Sequence, residues 1–225
     1  MSPRFSLLVA LGVLLPSSAM ADWQAPKPFG PPAAAIPNRK MSADDKARQV
    51  TNAFAVCIAK RFTPKLERAL AMAPLSESYR ALAKVADSDC VDGRFSLAMP
   101  GTLLRGAAFR ALYIRDFKLP LLQGTPIVVD YVREAGSDAH AYQRATLKSF
   151  GSCVAKLDPA AARSLVLAEV ASIEEDQSIA RLRSSLGDCL RDGTLKLNRG
   201  ALQSVLAEVL YRERISGLPT MVGAR

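Results

Sequence analysis

Histidine is almost absent from this chain: His140 is the only one in 225 residues. A single imidazole cannot complete a Cys/His zinc set of common spacing. It ends the polar run Gly136-Ser137-Asp138-Ala139-His140, which reads as a solvated loop. The sequence also lacks a G-x-S-x-G elbow, a G-x-x-x-x-G-K-[ST] loop and an H-E-x-x-H pair. The familiar routes to nucleophilic, phosphate-cradling and zinc-hydrolase chemistry are therefore missing. No catalytic residue, cofactor or metal is implied, and the reading leans away from an enzyme. Aromatic residues are scarce at 6%, and with abundant alanine that scarcity favours helices. Nowhere does an apolar run reach the about 20 residues that a membrane helix needs, so no transmembrane segment is expected in the mature chain.

The ends carry an address. Arg4, the apolar stretch from Phe5 to Leu15 and the small-x-small site Ala19-Met20-Ala21 read as a signal peptide over 1–21,. Its only charge is Arg4, so cleavage takes one from the formal net charge of +9 and leaves about +8. A periplasmic or secreted product follows. Its basic balance fits anionic lipid, acidic polysaccharide or another acidic envelope component, or a partner protein. Nucleic acid is not expected outside the cytoplasm. Residues 22–41, rich in proline and alanine, form an extended N-terminal arm hostile to helix.

The body is duplicated. Phe54-Ala55-Val56-Cys57-Ile58-Ala59-Lys60 returns as Phe150-Gly151-Ser152-Cys153-Val154-Ala155-Lys156, Asp89-Cys90 as Asp188-Cys189, and Leu112-Tyr113 as Leu210-Tyr211. Offsets of 96, 99 and 98 mark a repeated structural unit. We expect helical unit 1 over 42–120, a connector over 121–140, helical unit 2 over 141–220 and a tail over 221–225. Within each unit the signals recur in order. Ser42 with Asp45 opens the first helix as a capping box, and Val50, Phe54 and Ile58 share a face, as do Leu147, Phe150 and Val154. Thr63-Pro64 and Asp158-Pro159 pair an N-cap with proline at the first helical position. Second helices run to about Met72 and Val170, and third helices cover roughly 76–87 and 174–186. Glu174-Glu175-Asp176 reads as carboxylates complementing a helix dipole.

Asp92-Gly93 and Asp192-Gly193 then turn into short alternating stretches, Phe95/Leu97 and Leu195/Leu197. Two such stretches are too short to stand alone, so they are expected to pair with each other. The last helices carry Leu103, Leu104, Ala107, Ala108, Ala111 and Leu112, and Ala201, Leu202, Val205, Leu206, Val209 and Leu210, at i, i+3, i+4, i+7 spacing. In the connector, the stretch from Pro126 to Val132 is expected to form a short helix against the core. The fold class is thus all-α, two pseudo-symmetric tandem helical units of about four helices each, with a minor two-stranded β element.

Four cysteines in an exported chain form a disulfide framework. Three connectivities are open, and duplication favours Cys57–Cys90 with Cys153–Cys189, one staple per unit. Asp89 and Asp188 adjoin the second cysteine of each pair, which disfavours thiolate chemistry.

Charge separates the units. Residues 42–120 hold 13 basic and 8 acidic residues, whereas 141–219 hold 11 and 9. Lys60, Arg61, Lys65 and Arg68 make the densest cluster, offset only by Glu67, and are the candidate anion-binding residues. Arg105, Arg110 and Arg115 look like a stripe, but steps of five turn about 140° on a helix, so they share no face.

The F-x-x-C-[IV]-A-K start, the D-C element and the L-Y helix end resemble uncharacterised exported bacterial helical proteins with tandem cysteine units, over most of residues 50–215. That resemblance implies fold and location, and no activity or ligand. The expected function is an exported, non-enzymatic binding or scaffold protein of the bacterial envelope, acting through the basic corner or the groove between units. The alternatives are an enzyme with an unrecognised carboxylate site, and a binder of anionic lipid or polysaccharide.

Overall fold

A computed structural model describes residues 41–72, 75–85, 90, 101–117, 129–135, 139–190 and 197–216. Among the described residues there are helices and no strand. They are α1 (Ala43–Arg61), α2 (Thr63–Ala71), α3 (Leu75–Val85), α4 (Gly101–Phe117), α5 (Tyr131–Ala135), α6 (Ala139–Leu157), α7 (Pro159–Leu167), α8 (Ile173–Cys189) and α9 (Arg199–Ser216). Of the expected strand pair, Phe95, Leu97 and Leu195 lie outside the described residues, and Leu197 has no regular structure. The signal, the arm and the tail lie outside them as well.

Capping chemistry sets the helix starts. The Ser42 hydroxyl accepts from the Asp45 backbone N–H and donates to its carboxylate, closing the first turn of α1,. Asp158 accepts from Ala161 N at the start of α7, and Ser172 from Glu175 N at the start of α8,. Thr63 is the exception. It lies inside α2, with Phe62 in the cap position and no side-chain cap. Its hydroxyl donates back to the Ala59 carbonyl and accepts from Arg115 at 2.7 Å instead of capping the helix start,. Two other expectations shift. His140 falls within α6 and not in a loop, and α8 runs through Cys189 instead of ending before it.

Helices α4 and α9 pack against each other, with α1 laid on α4 and α6 on α9. The α2–α3 and α7–α8 pairs complete the body. From Leu104 to Tyr113 every residue of α4 is buried, so this helix is enclosed on all sides and not merely along one stripe. Small residues make that possible. A Cβ added at Gly106 would stand 2.1 Å from Ser204 Oγ, and one at Gly151 would stand 2.5 Å from Val205. Around this axis lie Ile58, Leu66, Leu82, Leu112, Leu165, Leu182 and Leu206, all fully enclosed. The rings of Phe109, Phe117 and Tyr211 meet with centroids 5.8 and 5.9 Å apart,.

On α1 the buried face runs through Thr51, Phe54, Ala55, Ile58 and Ala59. Val50, expected on it, is 51% exposed, while Arg48, two residues earlier and so on the opposite side of the helix, is turned inward,. Tyr131 is buried as α5 meets α6. Of the helix expected over 126–132, Pro126 to Val128 lie outside the described residues, Val129 and Asp130 are not helical, and only Tyr131 and Val132 fall within α5.

Both disulfides join the expected partners. Cys57 bonds Cys90 with S–S 2.07 Å, and Cys153 bonds Cys189 with 2.01 Å. They close loops of 33 and 36 residues, each worth about 3–4 kcal/mol by loop entropy. No described helix is long and apolar enough to cross a membrane.

Candidate functional site

The chemistry of this protein lies inside it, where α4 and α9 carry charged side chains into the packed body. Arg105 on α4 is the first. Its guanidinium donates to the Leu70 carbonyl at 3.0 Å, the Ser78 hydroxyl at 2.6 Å and Glu208 Oε1 at 2.9 Å. It thereby satisfies a carbonyl at the end of α2 that the helix leaves open. Lys148 on α6 reaches the same Glu208 oxygen at 2.7 Å. Burial alone would raise the Glu208 carboxyl, but Arg105 and Lys148 outweigh it and hold the group below the usual carboxylate range,. Burial pushes Lys148 down, even with Glu208 beside it.

That shift carries a sign. Glu208 has a folded pKa below its unfolded value, so its contribution is full above about pH 4.5 and is lost as pH falls through the folded value,. Glu208→Gln is expected to destabilise by about 2 kcal/mol near neutral pH, and by much less near about pH 3. Urea midpoints of native and variant chains at the two pH values check this. A gap as wide in acid as at neutrality would refute it.

A second network joins α1, α8 and α9. Arg48 donates to the Glu175 carboxylate and to Gln203 Oε1 at 3.3 Å, and to Asp45 at 3.2 Å. Glu175, fully buried, accepts from the backbone N–H of Ala171 at 2.8 Å. Ala171 has φ 61°, a left-handed conformation costly for a residue with a Cβ,. Arg110 closes the end of α7, donating to Val166 and Ala168 carbonyls at 2.8 Å each. Burial, with Arg48 next, brings its pKa down to about 10, so it stays charged at neutrality. Gln203 donates to the Leu165 and Ala168 carbonyls at 3.0 and 3.3 Å.

The basic corner lies apart from both networks. Lys60, Arg61, Lys65 and Arg68 are all exposed. Arg61 and Lys65 stand 5.6 and 5.8 Å over the Phe62 ring, whereas Arg68 turns back to the Pro64 carbonyl. Glu67, the one acid among them, is held by Arg115 at 2.9 Å. The corner thus sets two of its four cations over one aromatic ring.

Charge was legible on α4, but its destination was not. Arg105, Arg110 and Arg115 do point apart, as their spacing requires, into Glu208, the end of α7, and the Glu67–Asp116 pair. A signal for burial was present: both Arg105 and Arg110 sit among Leu104, Gly106, Ala107, Ala108, Phe109 and Ala111.

The described buried carboxylates do not converge. Glu175 and Glu208 are held by separate cations, and Glu213 accepts from the Ser152 hydroxyl at 2.6 Å. Burial raises Glu213, against Ser152, Lys156 and Arg212. No group of three or more His, Cys, Asp or Glu suited to a metal occurs among the described residues. Compared with protein-family models, with curated proteins and with solved structures, the chain matches none.

Proposed function

We propose that this is an exported helical binding or scaffold protein of the bacterial envelope, stapled once in each of two pseudo-symmetric units. One observation carries the non-enzymatic part. Each described buried carboxylate is consumed by its own cation or hydroxyl, so none is left beside another to act as acid and base,. A carboxylate enzyme, the alternative, would need such a pair facing a cleft. Two intramolecular disulfides support an oxidising compartment and the signal reading of 1–21,.

The duplication reading draws support from the helices. Those numbered α1 to α4 have 19, 9, 11 and 17 residues, and α6 to α9 have 19, 9, 17 and 18. Gly106 and Ser204, which meet closely, stand at the same offset of 98 as Leu112 and Leu210. A residue meeting its own counterpart is what an axis between two copies produces.

The test is capture from an envelope fraction on the immobilised oxidised chain, with retained species identified by mass spectrometry. One acidic component should be retained by the native chain and lost from the reduced, alkylated one. Equal retention by both, or none by either, overturns the proposal. A second reading, attachment to anionic lipid or polysaccharide, is favoured by the exposed Arg61 and Lys65 on Phe62. It requires salt-sensitive adsorption to acidic vesicles that disappears on charge reversal at Lys60, Arg61, Lys65 and Arg68.

A further inference from the structure

One part of the helical body is left unfilled. Helices α8 and α9 both pack on α6 and α7, and in the wedge between them lies a cavity of about 190 Å³, open on one side. Its walls are Phe150 of α6, Ile179 and Leu186 of α8, Leu190 just past α8, Leu197 just before α9, and Leu202 within it. Phe150 and Leu202 are buried, Ile179, Leu186 and Leu197 are half-buried, and Leu190 is exposed. Aliphatic side chains thus gather around a hollow with part of their surface still wetted, and covering that surface would be favourable.

The mouth narrows the kind of ligand that fits. Asn198 and Arg199 complete the lining. Asn198 accepts from the Ala201 N–H at 2.8 Å, and Arg199 bonds Asp176, with Glu175 at 3.9 Å. The described charges at the opening are therefore paired within the protein, and whatever enters meets apolar walls. An apolar cavity of about 150 Å³ lined by Leu, Ile and Phe stays dry and takes up benzene, so this one has room for a group of that size. Its walls are also held covalently. Phe150 lies one turn before Cys153 on α6, and Leu186 one turn before Cys189 on α8, so their disulfide pins the two faces together. A site fixed in advance needs less ordering when it binds.

We propose that this cavity binds a single alkyl chain, the apolar end of a small amphiphile whose polar head stays in solvent at the mouth. Aliphatic walls, a volume that holds one short chain, and a mouth whose described charges are already paired select that class. The proposal goes beyond the binding reading above: the cavity stands on α6, α8 and α9, whereas the basic corner stands on α1 and α2.

Titration of the oxidised full chain with 1-alkanols from butanol to decanol tests it. Binding should saturate at one molecule per chain, with Kd falling about fourfold for each added methylene. The gain should stop at about six to eight carbons, when a space slightly larger than benzene is filled. Methyl resonances of Ile179, Leu186, Leu190, Leu197 and Leu202 should shift with hexanol, while those of the enclosed Leu66 and Leu112 stay put. Leu186→Trp and Leu197→Trp fill the space from different walls. Each should weaken hexanol binding by about tenfold or more, with the unfolding temperature unchanged or raised. Val50→Trp, at an exposed position on α1, should leave binding unchanged. No saturable binding across the series would leave the wedge to solvent or to a partner's side chain, and overturns the proposal. So would an affinity that ignores chain length, shifts spread through the core, or folded variants that bind as tightly as the native chain. Envelope capture reads a retained macromolecule, so that reading and this one fail separately.

Discussion

Glu175→Ala is expected to destabilise the chain by about 3–5 kcal/mol, because it strands a buried charge. Arg48, with a side chain only 8% exposed, would keep Asp45 and Gln203 but lose the carboxylate it bonds directly. Three further losses follow from the same deletion. Ala171 N–H loses its acceptor while holding φ 61°, Arg199 loses a nearby charge at 3.9 Å, and Arg110 loses an acid that favours its ionised form. Small domains hold about 5–15 kcal/mol in total, so the urea midpoint should fall by a large fraction with its slope unchanged. Glu175→Gln keeps an acceptor and should cost about 1–3 kcal/mol. The decisive comparison is Arg48→Met with Glu175→Leu, which removes both charges. The pair should be less damaging than Glu175→Ala alone. If the pair costs as much as the sum of its single changes, the residues are not coupled and the account of this network is wrong.

Glu175 also marks where sequence reasoning stops. Its place in the first turn of a helix was readable from the acidic run Glu174-Glu175-Asp176, and the dipole argument explains Glu174 and Asp176 well,. What periodicity could not supply is that α8 turns its third residue towards Arg48, 127 residues away. The limitation is general to this fold. Caps and cysteine spacing are local or repeated, so Ser42, Asp158 and both disulfides were legible before any coordinates. A buried charge depends on which distant helix lies opposite. For the same reason Val50 was misread: apolar spacing placed it inward, but the Arg48–Glu175 bridge sets the rotation of α1 and leaves Val50 outside. Thr63 failed differently. It has the right type for a cap, but it stands inside α2 with Phe62 at the cap, and its hydroxyl turns to Ala59 and Arg115. The candidate anion residues at 60–68 were chosen by density along the chain, whereas Arg105, Lys148 and Glu208 meet only in space.

Gly106→Leu is expected to be the most damaging single change that removes no interaction of its own. A Cβ there would meet Ser204 Oγ at 2.1 Å, its Cβ at 2.2 Å and its Cα at 2.9 Å. Rotating the serine relieves the first contact, but backbone stands behind it. The side chain can enter only if α4 and α9 separate. Ordinary overpacking costs about 1–3 kcal/mol, and here the separation also stretches the bond from Arg105 to Glu208 across the same interface. A loss above that range follows, with Gly106→Ala milder because its better helix propensity returns about 1 kcal/mol. Burial explains why glycine persists mid-helix despite that propensity cost: close approach, not backbone freedom, is what it supplies. The check is compensation. Ser204→Gly removes the opposing side chain, so Gly106→Ala with Ser204→Gly should recover much of the stability that Gly106→Ala loses in a thermal-unfolding cycle. Strict additivity of the two changes would mean that α4 and α9 do not meet at this pair, and the central packing described for this fold would have to be redrawn.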